Sequence, residues 1–245
     1  MGKTQASRGL GSIKALTFDV QGTCTDFCGP LQRMGAEVNR TKGLSLDWGA
    51  LSAEWRGLYR ATLDAVIAGQ RPFLRIDRIY RETLDTLLDR HGLGATFSAV
   101  ERDEMNRVWS RLEPWPDTVP GLARLRKRFV LSTLSNTAMS TMVAVVKHGA
   151  LPFDAVLTAE LAHIYKPAPA VYQLAVDYLG FTPSEIMMVA CHKYDLAAAR
   201  AFGMRTAFVQ RPLEFGPGES PDIAREDWID VHAADFLDLA EALGA

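Results

Sequence analysis

From Gly121 onward the chain alternates short apolar runs with segments of helical length, and no other feature restricts its fold as strongly. The alternation predicts a helix near Gly121 to Arg128, a strand Phe129 to Leu134 and a helix Thr137 to His148. A short strand at Ala155, Val156 and Leu157 and a helix Pro169 to Leu179 follow. Next come a strand Ile186 to Ala190, a helix Asp195 to Phe202 and a strand Arg205 to Val209. A last strand near Trp228 to Val231 and a terminal helix Ala233 to Leu243 complete the series. Strands separated by helices at this spacing make βαβ units, so the expected fold is α/β, a parallel sheet with helices on both faces. Such sheets bind ligands beyond the carboxyl ends of their strands.

The first half of the chain reads differently. Ile13 to Val20 is an apolar strand with Asp19 near its end and Gly22-Thr23 as punctuation behind it. From about Leu44 to Leu112 the apolar residues recur at helical steps, first Trp55, Leu58, Tyr59 and Leu63, then Ile79, Thr83, Leu84, Leu87 and Leu88. Pro114-Trp115-Pro116 and the Pro120-Gly121 pair break that pattern. The expected organisation is a core domain of residues 1–28 and 114–245 interrupted by a helical cap, residues 29–113. The glycine- and proline-rich stretch around Phe215-Gly216-Pro217-Gly218 reads as a surface loop.

Composition narrows the partners. With 48% hydrophobic and 23% charged residues in 245, there is material for a sizeable core. The balance of 27 basic and 29 acidic residues leaves a net charge of −2, with no basic run to bind a phosphate backbone, so no nucleic acid partner is expected. No stretch approaches the roughly 20 apolar residues of a membrane span, and Met1 to Arg8 lacks the apolar run of a secretory signal. A soluble cytoplasmic protein without a membrane partner is the expectation. Cys24, Cys28 and Cys191 form no Cys-x-x-Cys and read as free thiols rather than a disulfide framework or zinc knuckle. Small apolar fillers is the better reading of the first two.

Four places put a polar residue at the carboxyl end of a strand or in a loop before a helix. Asp19 lies in Phe18-Asp19-Val20-Gln21-Gly22-Thr23, and a strand-end Asp can equally cap a turn. Ser135-Asn136 follows Val130 to Leu134, where a helix N-cap explains the pair as well. Lys166, in Tyr165-Lys166-Pro167, has a solvated loop lysine as its plain alternative, and Asp195, in Cys191-His192-Lys193-Tyr194-Asp195, has another N-cap.

Taken in order, these four motifs resemble the haloacid dehalogenase (HAD) superfamily. With Trp55-Arg56 on an early cap helix and Tyr172 six residues beyond the lysine, the chain is similar to the type II L-2-haloacid dehalogenases. The resemblance implies a Rossmann-like core and a hydrolase in which Asp19 attacks C2 of a small 2-substituted carboxylate. An ester forms on Asp19, and water hydrolyses it. It implies catalytic roles for Asp19, Lys166, Asp195, Ser135 and Thr23, with the Thr23 and Ser135 hydroxyls offered to the carboxylates. Gln21, Arg56, Asn136, Tyr172 and His192 would bind substrate, Arg56 and Asn136 meeting the leaving anion. An unperturbed Asp, with a pKa of about 3.9, is charged at neutral pH without help, so Lys166 orients more than it ionises. Arg56 has a helix-surface salt bridge as its plain alternative. Trp55, Tyr59 and Phe73 either line the inner face of the cap or simply pack its core. The resemblance also implies a homodimer. The apolar segments Leu84 to Leu88 and Met142 to Val146 add little to that, since both could be internal.

The departures from the family pattern bear on the chemistry. HAD phosphatases carry a second Asp two residues after the nucleophile, where this chain has Gln21, and a further acid after Asp195, where it has Leu196. Glutamine cannot give up a proton, so a metal-independent reaction with no cofactor is expected and phosphatase chemistry is the distant alternative. Gln21 also replaces the usual aromatic residue of the dehalogenases, His192 an Asn, and Ala190 a small hydroxyl residue. A buried amide left unpaired would cost about 1–3 kcal/mol, which favours a polar group near the reacting carbon. The related HAD enzyme that opens L-azetidine-2-carboxylate by C–N cleavage is therefore a second reading, with halide release preferred on the motif set as a whole. A silent fold acting as a binding module is a third, opposed by the joint presence of Asp19, Lys166 and Asp195. His192 is either a proton shuttle for ester hydrolysis or a locally bonded loop residue.

Overall fold

The computed structural model describes residues 10–245. Met1 to Arg8, read above for a secretory signal, and the first nine residues of the expected core segment lie outside them. The strands are β1 (Ala15–Phe18), β2 (Thr25–Asp26), β3 (Glu113–Pro114), β4 (Val130–Thr133), β5 (Ile186–Ala190), β6 (Arg205–Val209) and β7 (Val231–Ala233). The helices are α1 (Cys28–Lys42), α2 (Trp48–Ile67), α3 (Ile76–Arg90), α4 (Ala99–Asn106) and α5 (Thr118–Leu125). They continue with α6 (Met139–His148), α7 (Pro169–Leu179), α8 (Lys193–Phe202) and α9 (Phe236–Ala242).

Five strands form a parallel sheet in the order β4-β1-β5-β6-β7. Every residue of β1 and β5 is buried. Successive side chains of a strand point to opposite faces, so both faces of the sheet are covered, as continuous rather than alternating apolar runs require. Helices α5 and α9 pack on each other, as do α7 and α8. In register, Phe18 pairs with Thr133 on one side and Val189 on the other. The residue after it, Asp19, therefore leaves the sheet from an interior strand, with its amide still held by Val189 O at 3.0 Å.

Between β2 and β3 the chain builds helices α1 to α4, which pack in sequence on one another. The two strands pair antiparallel, Thr25 with Pro114 and Asp26 with Glu113, so exit from and return to the sheet-bearing part lie side by side. The Asp47 carboxylate starts α2 by accepting from the amides of Gly49 and Ala50 at 2.9 and 3.1 Å. One face of α2, including Trp55, Tyr59 and Leu63, is buried against Ile79, Tyr80, Thr83 and Leu87 of α3. There Tyr80 lies between two parallel rings, with centroids 4.4 Å to Tyr59 and 3.9 Å to Trp109.

The structure corrects several expected elements. Helix α1 was not anticipated, since its sequence is mostly polar, with Pro30 and two glycines inside it. Its close approach to α2 needs Gly35, where a Cβ would lie 2.0 Å from the Trp48 ring. The strand expected at Ala155 to Leu157 is only two isolated bridges, Ser132 to Ala155 and Ser135 to Thr158. The strand expected near Trp228 starts three residues later, at Val231, where pairing with Ala207 begins.

Candidate active site

The carboxyl ends of β1, β4 and β5 and the loop before α7 meet at one point. Lys166, 1% exposed, places Nζ 2.9 Å from Asp19 Oδ1 and 2.5 Å from Asp195 Oδ2. It is no solvated loop lysine. Asp195 is the third residue of α8 rather than its cap, and its other oxygen accepts from Tyr172 Oη at 2.7 Å. Asp19 Oδ2 accepts from the Thr23 hydroxyl at 2.9 Å, as expected. That hydroxyl in turn accepts from the Cys191 amide at 3.1 Å, which ties the loop after β1 to the end of β5.

Burial opposes the charge on Asp19, but Lys166 and His192 outweigh it and hold the carboxyl well below the usual carboxylate range. Burial pushes the Asp195 carboxyl the other way, up, with Lys166 resisting. The ammonium is also disfavoured by burial, yet Asp19 and Asp195 together carry it above its ordinary value. Asp19 is therefore an ionised carboxylate in a nearly dry place, with Oδ1 fixed by a cation.

Asp19 opens onto a cavity of about 320 Å³ lined also by Gln21, Ser135, Asn136, Lys166 and His192 from the strand ends. Helix α2 closes it with Arg56, Tyr59, Arg60 and Leu63, joined by Tyr194 and Phe215. Arg56 stacks its guanidinium 4.1 Å from the Phe27 ring centroid and donates to Tyr80 Oη at 3.3 Å. Among the described residues no carboxylate forms a salt bridge with it, so the surface-salt-bridge reading fails and the cation remains available to a bound anion. Tyr80 Oη in turn donates a hydrogen bond to Gln21 Oε1 at 3.3 Å. The Gln21 NH2 group is then the free end, buried and without a partner among the described residues. Asn136 is oriented likewise: its Oδ1 accepts from the Lys166 amide at 2.8 Å, leaving its NH2 free at the cavity wall. Beside the Asp19 carboxylate, the free polar ends of Gln21, Asn136 and Arg56 on the cavity wall are donors.

Two expected roles are corrected. Tyr172 is fully buried behind Asp195 and does not line the cavity, so it supports the carboxylate instead of binding substrate. The Ser135 hydroxyl lines the cavity but pairs with Thr137 Oγ1 at 3.1 Å rather than with a carboxylate. The sequence reading missed Glu214, which is 2% exposed and holds His192 Nε2 at 2.7 Å from its Oε1. A signal was present, because Glu214 follows the carboxyl end of β6 just as the other site residues follow theirs. The surface-loop reading of the neighbouring Phe215 to Gly218 drew attention away, although Phe215 reaches the cavity.

A buried Asp-Lys-Asp cluster at the carboxyl ends of a parallel sheet, under a helical cover, defines a class of hydrolases. The chain belongs to the haloacid dehalogenase-like hydrolase family, whose model matches residues 13–203. It is 31% identical over 205 residues to the (S)-2-haloacid dehalogenase of Xanthobacter autotrophicus, covering 81% of this chain and 76% of that one. To (S)-2-haloacid dehalogenase 4A of Burkholderia cepacia it is 29% identical over 220 residues, covering 85% and 90%. Among solved structures, a defluorinating L-2-haloacid dehalogenase superposes with a TM-score of 0.92 at 35% identity, covering 95% and 96% of the two chains. Another L-2-haloacid dehalogenase does so at 0.90 and 39%, covering 95% and 99%.

Proposed function

We infer that this chain is a 2-haloacid dehalogenase that takes a small 2-halocarboxylate through a covalent ester on Asp19. The observation that carries the reading is the opposition across the cavity of an ionised Asp19, pinned by Lys166, and an Arg56 with which no carboxylate among the described residues forms a salt bridge. Asp19 attacks C2, the carbon–halogen bond breaks and halide departs. Water then attacks the Asp19 carbonyl carbon to release the 2-hydroxy acid. Fixing nucleophile and carbon in line supplies the reactivity that a dissolved carboxylate lacks, with effective molarities of order 10⁵ to 10⁸ M in favourable cases. The free NH2 groups of Gln21 and Asn136 and the Arg56 guanidinium suit an anion, whether substrate carboxylate or departing halide.

The ring-opening alternative loses its support at Gln21. An ammonium beside the reacting carbon needs an acceptor, whereas the unpaired end of Gln21 is its NH2 donor and its oxygen already accepts from Tyr80. The reaction needs no metal on this reading, since Gln21 and Leu196 stand where the phosphatases of the superfamily carry acids. Residues 29–113 act as a cap that brings Arg56, Tyr59 and Leu63 over Asp19, and residues 114–245 with residues 10–28 form the core. The likeness to type II dehalogenases supports a homodimer. Leu84, Leu87, Leu88, Met142 and Val145 are buried within one chain and do not argue for it. No helix among the described residues is long and apolar enough to cross a membrane, and the three free thiols accord with a cytoplasmic enzyme.

The reading is tested by one turnover of L-2-chloropropionate in ¹⁸O water with enzyme in excess. The label enters Asp19 first and the product only on later turnovers. Label in the product of the first turnover, or turnover surviving in Asp19→Asn, would overturn it.

A further inference from the structure

Beside the nucleophile lies a second charged pair that the reaction as described leaves unused. His192 Nε2 is bonded to Glu214 Oε1 at 2.7 Å, and its other nitrogen, Nδ1, lies 3.2 Å from Asp19 Oδ2. That contact is close but outside hydrogen-bonding direction, so Nδ1 is a buried polar atom with no hydrogen bond among the described residues. Glu214 is even more buried than Asp19 and spends Oε1 on the imidazole, while Oε2 meets the Cys191 thiol at 3.6 Å. A carboxylate holding the far nitrogen of a histidine fixes its tautomer and ring orientation and raises its basicity, the arrangement of a general base.

Building on the assignment of Asp19 as nucleophile, we propose that His192 is the general base for hydrolysis of the Asp19 ester and that Glu214 is the positioning residue that orients and strengthens it. In the resting enzyme two carboxylates flank the ring, and Cys191, Tyr194 and, across the cavity, Arg56 complete its surroundings. Burial disfavours the imidazolium, but Cys191, Asp19 and Glu214 together carry it well above its ordinary pKa, so it starts protonated. Alkylation removes the charge from Asp19. The imidazolium loses one of its two anions and releases its Nδ1 proton to solvent, the single proton of the net reaction.

The freed Nδ1 then takes a proton from water as the water oxygen bonds to Asp19 Cγ. Collapse breaks the bond between Cγ and the ester oxygen, and Nδ1–H returns its proton to that departing alkoxide. The carboxylic acid left on Asp19 passes its proton to Nδ1, which restores the starting ion pair. Substrate and water give hydroxy acid, halide and one proton, and the enzyme is unchanged. Formation of the ester is thus itself the signal that arms the base for the second step.

The test separates the two half-reactions with L-2-chloropropionate as probe. Rapid mixing of His192→Ala should give about one halide per active site and then stall, with turnover down about 100-fold or more. The ester should accumulate on the peptide carrying Asp19, detectable by mass, and added imidazole should restore its hydrolysis. The halide burst also counts folded sites, so a misfolded variant is not mistaken for a blocked one. In Glu214→Gln the weaker base should move the acid limb of ester hydrolysis to lower pH and lower its plateau. A His192→Ala enzyme that turns over without accumulating ester, or an acid limb that stays in place in Glu214→Gln, overturns the proposal. If no ester forms on Asp19 even in quenched wild-type enzyme and in both variants, the nucleophile itself is wrong and the relay falls with it.

Discussion

Gly22 and Glu214 share a space that no other residue at position 22 would leave open: a Cβ there would lie 2.5 Å from Glu214 Oε1. Gly22 also has φ +87°, in the left-handed region that a side chain disfavours. The turn that carries Asp19 out of the sheet is therefore shaped so that a carboxylate from the loop after β6 can reach His192. Gly22→Ala should cost about 1–2 kcal/mol in backbone strain alone, a fall of roughly 2–4 °C in Tm per kcal/mol for a chain this size. It should also push Glu214 off His192. Calorimetry and steady-state turnover should both drop, and loss of stability without loss of turnover would show that Glu214 tolerates displacement.

The Glu214 loop is anchored by Arg211, which donates to both oxygens of Asp117 at 2.8 Å and to Thr23 O at 2.7 Å. Both partners of the pair are largely buried. Removing one side of such a pair strands the other, so Arg211→Ala should cost about 3–5 kcal/mol. Arg211→Lys keeps the charge but loses the fork, and should recover only part of that. Denaturant titration of both variants checks the order, and equal stability of the two would mean that charge alone is what counts.

Gln21 divides halide release from ring opening. Its NH2 is buried and unbonded, and its oxygen is engaged by Tyr80. Gln21→Glu replaces a donor with an anion beside the substrate carboxylate. It should raise KM for L-2-chloropropionate about tenfold, equivalent to about 1.4 kcal/mol. An unchanged KM would show that the amide does not face the substrate.

Much of the site was legible because a parallel sheet delivers its chemistry at strand ends. The apolar runs that mark β1, β4 and β5 thereby marked Asp19, Ser135, Asn136 and His192. Lys166 and Asp195 were found by order along the chain, but nothing in their spacing says that one ammonium lies between two carboxylates. Tyr172 was misplaced for a geometric reason: six residues past Lys166 it turns its hydroxyl to the back of Asp195, and only the packing of α7 on α8 decides that side. Helix α1 escaped because its stability comes from contacts such as Gly35 against Trp48 rather than from a strong local pattern. Glu214 lies outside the four motifs, and its significance appears only when β6 is placed beside β5.

The pairing of Asp19 with Lys166 ties stability to pH in a defined direction, opposed by Asp195, whose carboxyl burial pushes up. Asp19 in the folded protein lies below its unfolded value, so its pairing with Lys166 stabilises fully above the ordinary carboxylate pKa of about 3.9. That contribution is lost as pH falls through the lowered folded value. Lys166→Met removes the cation and leaves two buried carboxylates facing each other, at a cost of about 3–5 kcal/mol near neutral pH. In the variant the same carboxylates take up protons more readily when folded than when unfolded, so acid should relieve the damage. The gap in Tm between wild type and Lys166→Met should be widest near pH 7 and narrow steadily below about pH 5 as carboxylates protonate. Thermal melts across that range measure it, and a gap independent of pH would mean that lost packing of the lysine stem, not the unpaired carboxylates, accounts for the destabilisation.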